Sequence, residues 1–163
     1  MSWREWLGLG AGLLALGSLF LPWTVLTASS PDVQAVLAEL PDGDVTRSAW
    51  NSTFFAWFPP LLLLATGIGV AALGHVQSVR RGGLPQLWLV AAAVALLSSV
   101  LGWMLIDWQF GGDERVLLAD AGVTVAAGAG RYLGLLAVLV SFTAAILDVR
   151  AARTEARKPR RRR

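Results

Sequence analysis

The sequence has no cysteine, a single histidine, and charge on only 15% of its residues. Without cysteine there are no disulfides, no thiol nucleophile, no thiolate metal centre and no CxxC redox pair. His75, beside Gln77 and Arg80, cannot alone assemble the cluster of ligands a metal site requires. It also lies on the opposite side of the predicted topology from most of the carboxylates, which leaves no Ser–His–Asp set. His75 therefore reads as an interfacial polar residue. The long apolar stretches carry no Asp, Glu, Lys or Arg between their ends. A proton relay or ion-coupled carrier needs an ionisable group at that depth, so secondary transport is disfavoured.

What the chain does have is apolar surface. Its 163 residues are 55% hydrophobic, with a mean hydropathy of +0.58. That composition points to a membrane protein with several spans. Uncharged windows near 20 residues can cross the hydrocarbon core. They predict an all-α membrane protein, a four-transmembrane-helix bundle in residues 1–150, with spans at about 6–23, 54–79, 84–106 and 131–148. Arg131 and Asp148 bound the last span, their side chains expected to reach outward to water. Residues 122–130 offer a lengthening of its start. The outer loops are 24–53 and 107–130, and residues 151–163 form a basic tail expected to be disordered.

Orientation follows from the cations. Arg4, Arg80, Arg81 and the basic residues from Arg150 onward fall on one side, while Arg47, Arg115 and Arg131 fall on the other. This places both termini in the cytoplasm. Trp3, Trp6 and Trp88 are predicted at the inner rim; Trp23, Trp50, Trp57, Trp103, Trp108 and Tyr132 at or near the outer one. In "GWMLIDWQF", Asp107 then lies at the outer boundary, and a rim position accounts for it better than a buried relay. A cleaved signal peptide is the competing account of the first span; its apolar stretch is longer than a usual signal core, and Pro22–Trp23 resembles a membrane exit.

Small residues recur at the spacing that lets helices approach closely. Gly8 and Gly12, Gly67 and Gly69 with Ala65 and Ala71, and Gly130 and Gly134 with Ala126 are the candidate packing positions. Contacts within the bundle account for them, and so do homo-oligomers or another membrane subunit. In the first outer loop, "SPDVQAVLAEL" predicts a short helix with Val33, Val36, Leu37 and Leu40 on one face. "WTVLTA" and "DVTRSAW" are rich enough in β-branched residues to pair as antiparallel strands. "DERVLLADAGVTVAAG" suggests a hairpin turning at Asp120–Gly122. The outer side should thus carry a small extracytoplasmic cap.

Other motifs carry little chemistry. "GAGRYLG" lacks the Lys-Ser/Thr ending of a phosphate loop and suits helix packing. Asp42 and Asp44 fall short of calcium's ligand number and read as a polar turn, as do Asp113 and Glu114. Nearly all the base is arginine, with Lys158 the sole lysine, which suggests a GC-rich bacterial source, where the glycosylation sequon at Asn51 would carry little weight. The tail offers Arg153, Arg157, Lys158, Arg160, Arg161, Arg162 and Arg163 to anionic lipid. The alternative is that it only fixes topology. No aromatic residues interleave those arginines, so nucleic-acid binding is not expected.

"LFLPW", then "RSAWNSTFFAWF" before a leucine-rich span, then "GAGRYLGLLAVLV" opening the last, resembles small four-span membrane proteins common in actinobacteria. That resemblance implies a fold and no activity. The layout is also similar to claudin-like tetraspans, but the paired cysteines and Gly-Leu-Trp pattern of that family are missing and its function is not carried over. The expectation is a non-enzymatic protein of the bacterial inner membrane with no cofactor, catalytic residue or metal site. It would serve as an accessory or scaffold subunit, with the lipid bilayer, a membrane-protein partner or further copies as its contacts. The alternative is a small oligomeric pore or carrier for a lipid or other apolar molecule.

Overall fold

The structure, a computed structural model, describes residues 2–157. Helix α1 (Trp3–Ser18) leads into β1 (Pro22–Ala28), α2 (Pro31–Glu39), the single turn α3 (Asp42–Val45) and β2 (Thr46–Ser48). Helices α4 (Phe54–Leu73) and α6 (Leu84–Met104) are joined through α5 (Gln77–Arg81). Then follow α7 (Gly112–Asp120), β3 (Val123–Ala127) and α8 (Ala129–Arg157). The chain is mostly helical, and α4, α6 and α8 are each long and apolar enough to cross a membrane. These three spans mark a membrane protein.

Helix α1 is shorter than the predicted first span. Its 16 residues rise about 24 Å, below the ~30 Å of a hydrocarbon core. It starts at a capping box in which Ser2 and Glu5 satisfy each other's backbone N–H groups. It stops at Ser18 because the chain turns into β1 at Pro22, carrying Trp23 away from the expected rim and into the interior.

The four long helices run alternately up and down. Gly12 abuts Leu63 and Leu64, and Gly8 lies against Gly67, so α1 and α4 are antiparallel. Gly102 of α6 packs on Phe55, and Gly130 and Gly134 of α8 pack on Ser18 and Trp23. Pro59 and Pro60, buried inside α4, remove the helical bonds to the carbonyls of Phe55 and Ala56. A Cβ at Gly102 would sit 3.1 Å from that Phe55 oxygen, so the glycine admits the uncovered carbonyl.

Mostly small residues fill the axis. Ala15, Leu63, Ala95, Ala137 and Val138 form the central layer, with one or more from each long helix. Toward the termini lie Val70, Trp88, Ala92, Ala144 and Ala145. Trp88, expected at the inner rim, is instead buried, its Nε1 donating to Ser141 Oγ at 3.1 Å. The indole finds an acceptor inside the bundle and needs no headgroup.

The cap is a three-stranded antiparallel sheet in the order β2-β1-β3. The two predicted strands of the first loop do pair, with Val25 opposite Thr46. The predicted hairpin of the second outer loop does not form. Residues 112–120 are helical, with Glu114 accepting from the Gly111 N–H at 3.0 Å. Gly122, at φ +70°, turns the chain out of α7, and β3 pairs with the free edge of β1. The predicted helix at 31–39 is present, but of its four apolar positions only Leu37 is buried. At the other end, α8 continues to Arg157, so the expected disordered tail is helical from 151 to 157.

Candidate functional site

Three charged residues are buried among those described: Glu5, Arg131 and Asp148. They divide between the two ends of the bundle.

At the end that holds both termini, α1, α5 and α8 meet. Arg4 Nε donates to Asp148 Oδ1 at 3.1 Å, and Arg80 bridges Glu5 Oε1 at 3.1 Å and Asp148 Oδ1 at 3.4 Å. Glu5 reaches this point because the residue packed on it is Gly74; a Cβ there would come within 2.8 Å of the carboxylate. Two guanidinium groups thus balance two carboxylates, which were expected in part to reach water. Asp148 did not do so because Arg4 and Arg80 come to it. Beside the cluster is a cavity of about 320 Å³ lined by Ser2, Glu5, Gly74, His75, Gln77, Arg80 and Glu155. His75 is exposed at its edge.

At the sheet end, Arg131 is 4% exposed, where an outward-reaching side chain was predicted. The first turn of α8 packs directly beneath β1, and the guanidinium is captured by backbone carbonyls. Nε donates to Trp23 O at 3.2 Å, Nη1 to Gly102 O at 2.7 Å and Nη2 to Thr24 Oγ1 at 3.4 Å. The rings of Trp23 and Trp103 lie 5.8 and 5.9 Å from it. Gln109 extends the network: its Nε2 donates to Thr24 Oγ1 at 3.1 Å and to Ile106 O at 2.8 Å. Its Oε1 accepts from Ser52 Oγ at 2.8 Å. Arg47 stacks over Phe110 at 4.3 Å and donates to Gln109 O.

The packing glycines behave unequally. A Cβ at Gly8 would meet Trp88, and one at Gly12 or Gly67 would meet the backbone of the facing helix. Gly130 and Gly134 make room for Trp23. Gly69 takes no part, since a Cβ there would meet nothing within 4 Å. Two residues beyond Gly67, it is turned about 200° around α4 and faces away from α1. Arg153 is exposed on α8. The side chain of Arg157 and all of Lys158, Arg160, Arg161, Arg162 and Arg163 lie outside the described residues.

Asp107 is exposed in a 3-10 turn just beyond α6. It borders a hollow of about 450 Å³ with Arg115, Leu118 and residues 123–125. Asp42 and Asp44 lie in α3, also exposed. The functional residues missed from sequence are the partners of the buried charges. Glu5 had a detectable signal, the Ser2–Glu5 capping spacing, but nothing in the sequence tied it to Arg80. Compared with known proteins, the chain matches no family model, no curated protein and no solved structure.

Proposed function

We propose that the chain is a four-span protein of the bacterial inner membrane, with both termini and the α4–α6 connection in the cytoplasm. It acts without catalysis, as an accessory or scaffold subunit that works through helix faces and its outer cap. Arg4, Arg80, Arg81, Arg150, Arg153 and Arg157 at the termini end, against Arg47, Arg115 and Arg131 at the sheet end, support the orientation through the bias of cytoplasmic arginine. The buried charges are engaged in holding elements together, and no buried side-chain polar atom among the described residues lacks a partner.

The observation that carries the contact role is the cap surface. Val36 on α2, Leu40 just after it, and Val116 and Leu117 on α7 are 60, 44, 60 and 69% exposed. They belong to the connections that carry the sheet and not to the long helices. Burying such side chains against a partner is favourable by roughly 25 cal/mol per Å². A lumen along the bundle axis is disfavoured because Leu63 and Val138 fill it, so a pore would have to form between copies.

Affinity purification of the natively expressed protein in mild detergent tests the reading. A stoichiometric membrane protein should co-elute and be lost from Val36→Glu and Leu117→Glu variants that still insert. Recovery of copies of this chain alone, with or without lipid, would replace the accessory role by the carrier.

A further inference from the structure

An apolar groove of about 380 Å³ runs between α1 and α8, lined by Leu7, Leu139, Val140, Thr143, Ala144 and Leu147. Its length along α8, from Leu139 to Leu147, is about 12 Å. Its lining stops toward the termini at Leu147 and Leu7, and the Arg4–Asp148 pair follows, one residue beyond Leu147 and one turn before Leu7. Arg150 is exposed one turn past Leu147, and Trp3 is 58% exposed one turn before Leu7. Asp148 engages only Nε of Arg4, one of the five donors of a guanidinium.

We infer that this groove holds one anionic phospholipid of the leaflet on the termini side. An acyl chain lies along Leu139, Val140 and Leu147, and its phosphate meets Arg4 and Arg150. The polarity of the site selects this occupant. The groove is apolar along the helices, and arginines stand only at the end where a headgroup would sit: Arg4, with donors left over from its pair, and Arg150 outside the charge cluster, with an amphipathic indole beside them. A partner helix would bury the apolar stretch equally well but would gain nothing from arginines at one mouth. A free anion would leave the groove empty. Arginine beside an anionic surface contributes about 1 kcal/mol; both lipids carry the phosphate, and preference over a zwitterionic lipid comes from the absence of the choline cation, which the arginines repel. The inference rests on the bundle being embedded in a bilayer, and not on the accessory role.

Full-length protein in detergent, titrated with dioleoyl phosphatidylglycerol or dioleoyl phosphatidylcholine and followed by native mass spectrometry, provides the test. One phosphatidylglycerol should be retained in preference to phosphatidylcholine. Arg150→Gln, at an exposed position, should weaken phosphatidylglycerol about fivefold, the loss of one such basic contact. Thr143→Trp, also at an exposed position, should block both lipids. Equal retention of the two lipids, an unchanged preference in Arg150→Gln, or undiminished lipid on Thr143→Trp would overturn the site. Failure of the protein to enter the membrane fraction would instead overturn the spanning reading itself.

Discussion

Gly67 and Gly69 lie two residues apart in one helix and provide an internal control for the helix contacts. Alanine at either position gains helix propensity of up to ~1 kcal/mol. The surroundings differ. A Cβ at Gly67 would lie 2.7 Å from Gly8 O and 3.3 Å from Leu9 Cα, well inside ordinary contact and against backbone. A Cβ at Gly69 meets nothing within 4 Å. Backbone cannot swing aside as a flexible side chain would, so α1 must move away from α4. Overpacking of this kind costs roughly 1–3 kcal/mol. Because the propensity gain is common to both, the difference between the variants isolates the clash. Gly67→Ala should be less stable than Gly69→Ala by about 1–3 kcal/mol. At about 2–4 °C per kcal/mol for a chain of this size, Tm should differ by roughly 2–12 °C. Thermal unfolding in one detergent, followed by circular dichroism, reads it directly. Equal stability of the two variants would show that α1 does not cross α4 at Gly8 and Gly67.

Asp148→Asn removes the carboxylate shared by Arg4 and Arg80. Those arginines are 19 and 24% exposed at the side chain, so the loss should be about 2–3 kcal/mol, below that of a fully buried pair. Urea-free thermal unfolding should show it, and an unchanged Tm would remove the cluster from the stability argument. Arg131→Lys keeps the charge, but one ammonium cannot span acceptors on β1 and α6, so stability should fall by about 2 kcal/mol in the same assay. A double-mutant cycle of Trp88→Phe and Ser141→Ala should give a coupling of about 0.6 kcal/mol, the average for hydrogen bonds between membrane helices, and no more than about 1.7. A coupling of zero would mean that the indole N–H bonds elsewhere. Asp107→Asn should change folding and insertion by less than about 0.5 kcal/mol, since the residue is exposed beyond α6. A severe loss of activity with folding intact would overturn the rim reading of Asp107 in favour of a relay.

Features that depend on neighbours in sequence were the legible ones. The helix at 31–39 was announced by Ser30–Pro31–Asp32, and the strands by their β-branched runs. Hydropathy placed the start of α4 and both ends of α6 within two residues, but the expected second span ran on to 79, past the end of α4 at Leu73 and into α5. Features that depend on distant partners were not legible. Trp88 reads as a rim residue until Ser141 supplies an acceptor for it. Arg131 and Asp148 read as outward-reaching until Gly102 and Arg80 are brought beside them. The hairpin expected near Asp120 failed for the same reason. Local sequence offered β3 a strand partner, but β1, a hundred residues earlier, paired with it instead. Gly67 and Gly69 show the limit of motif reading, since glycine spacing does not say which of two overlapping faces meets another helix.

Arg131 and Asp148 also explain one another. They stand about 25 Å apart along α8, a little less than the thickness of a hydrocarbon core. In a bilayer centred on the stretch between them each would be near a boundary, where removing a charge from water costs less than at the midplane. Each is held by two other elements: Arg131 by β1 and α6, Asp148 by α1 and α5. Lipid-facing leucines cannot set the axial position of a helix, because sliding by one turn of 5.4 Å exchanges one apolar contact for another. The same slide would strand a guanidinium and a carboxylate together. The charges thus act against register error more than they add stability, and this is why the measured cost of Arg131→Lys matters beyond its size. If a lysine there leaves both stability and the alignment of Gly134 with Trp23 intact, α8 is positioned by packing alone.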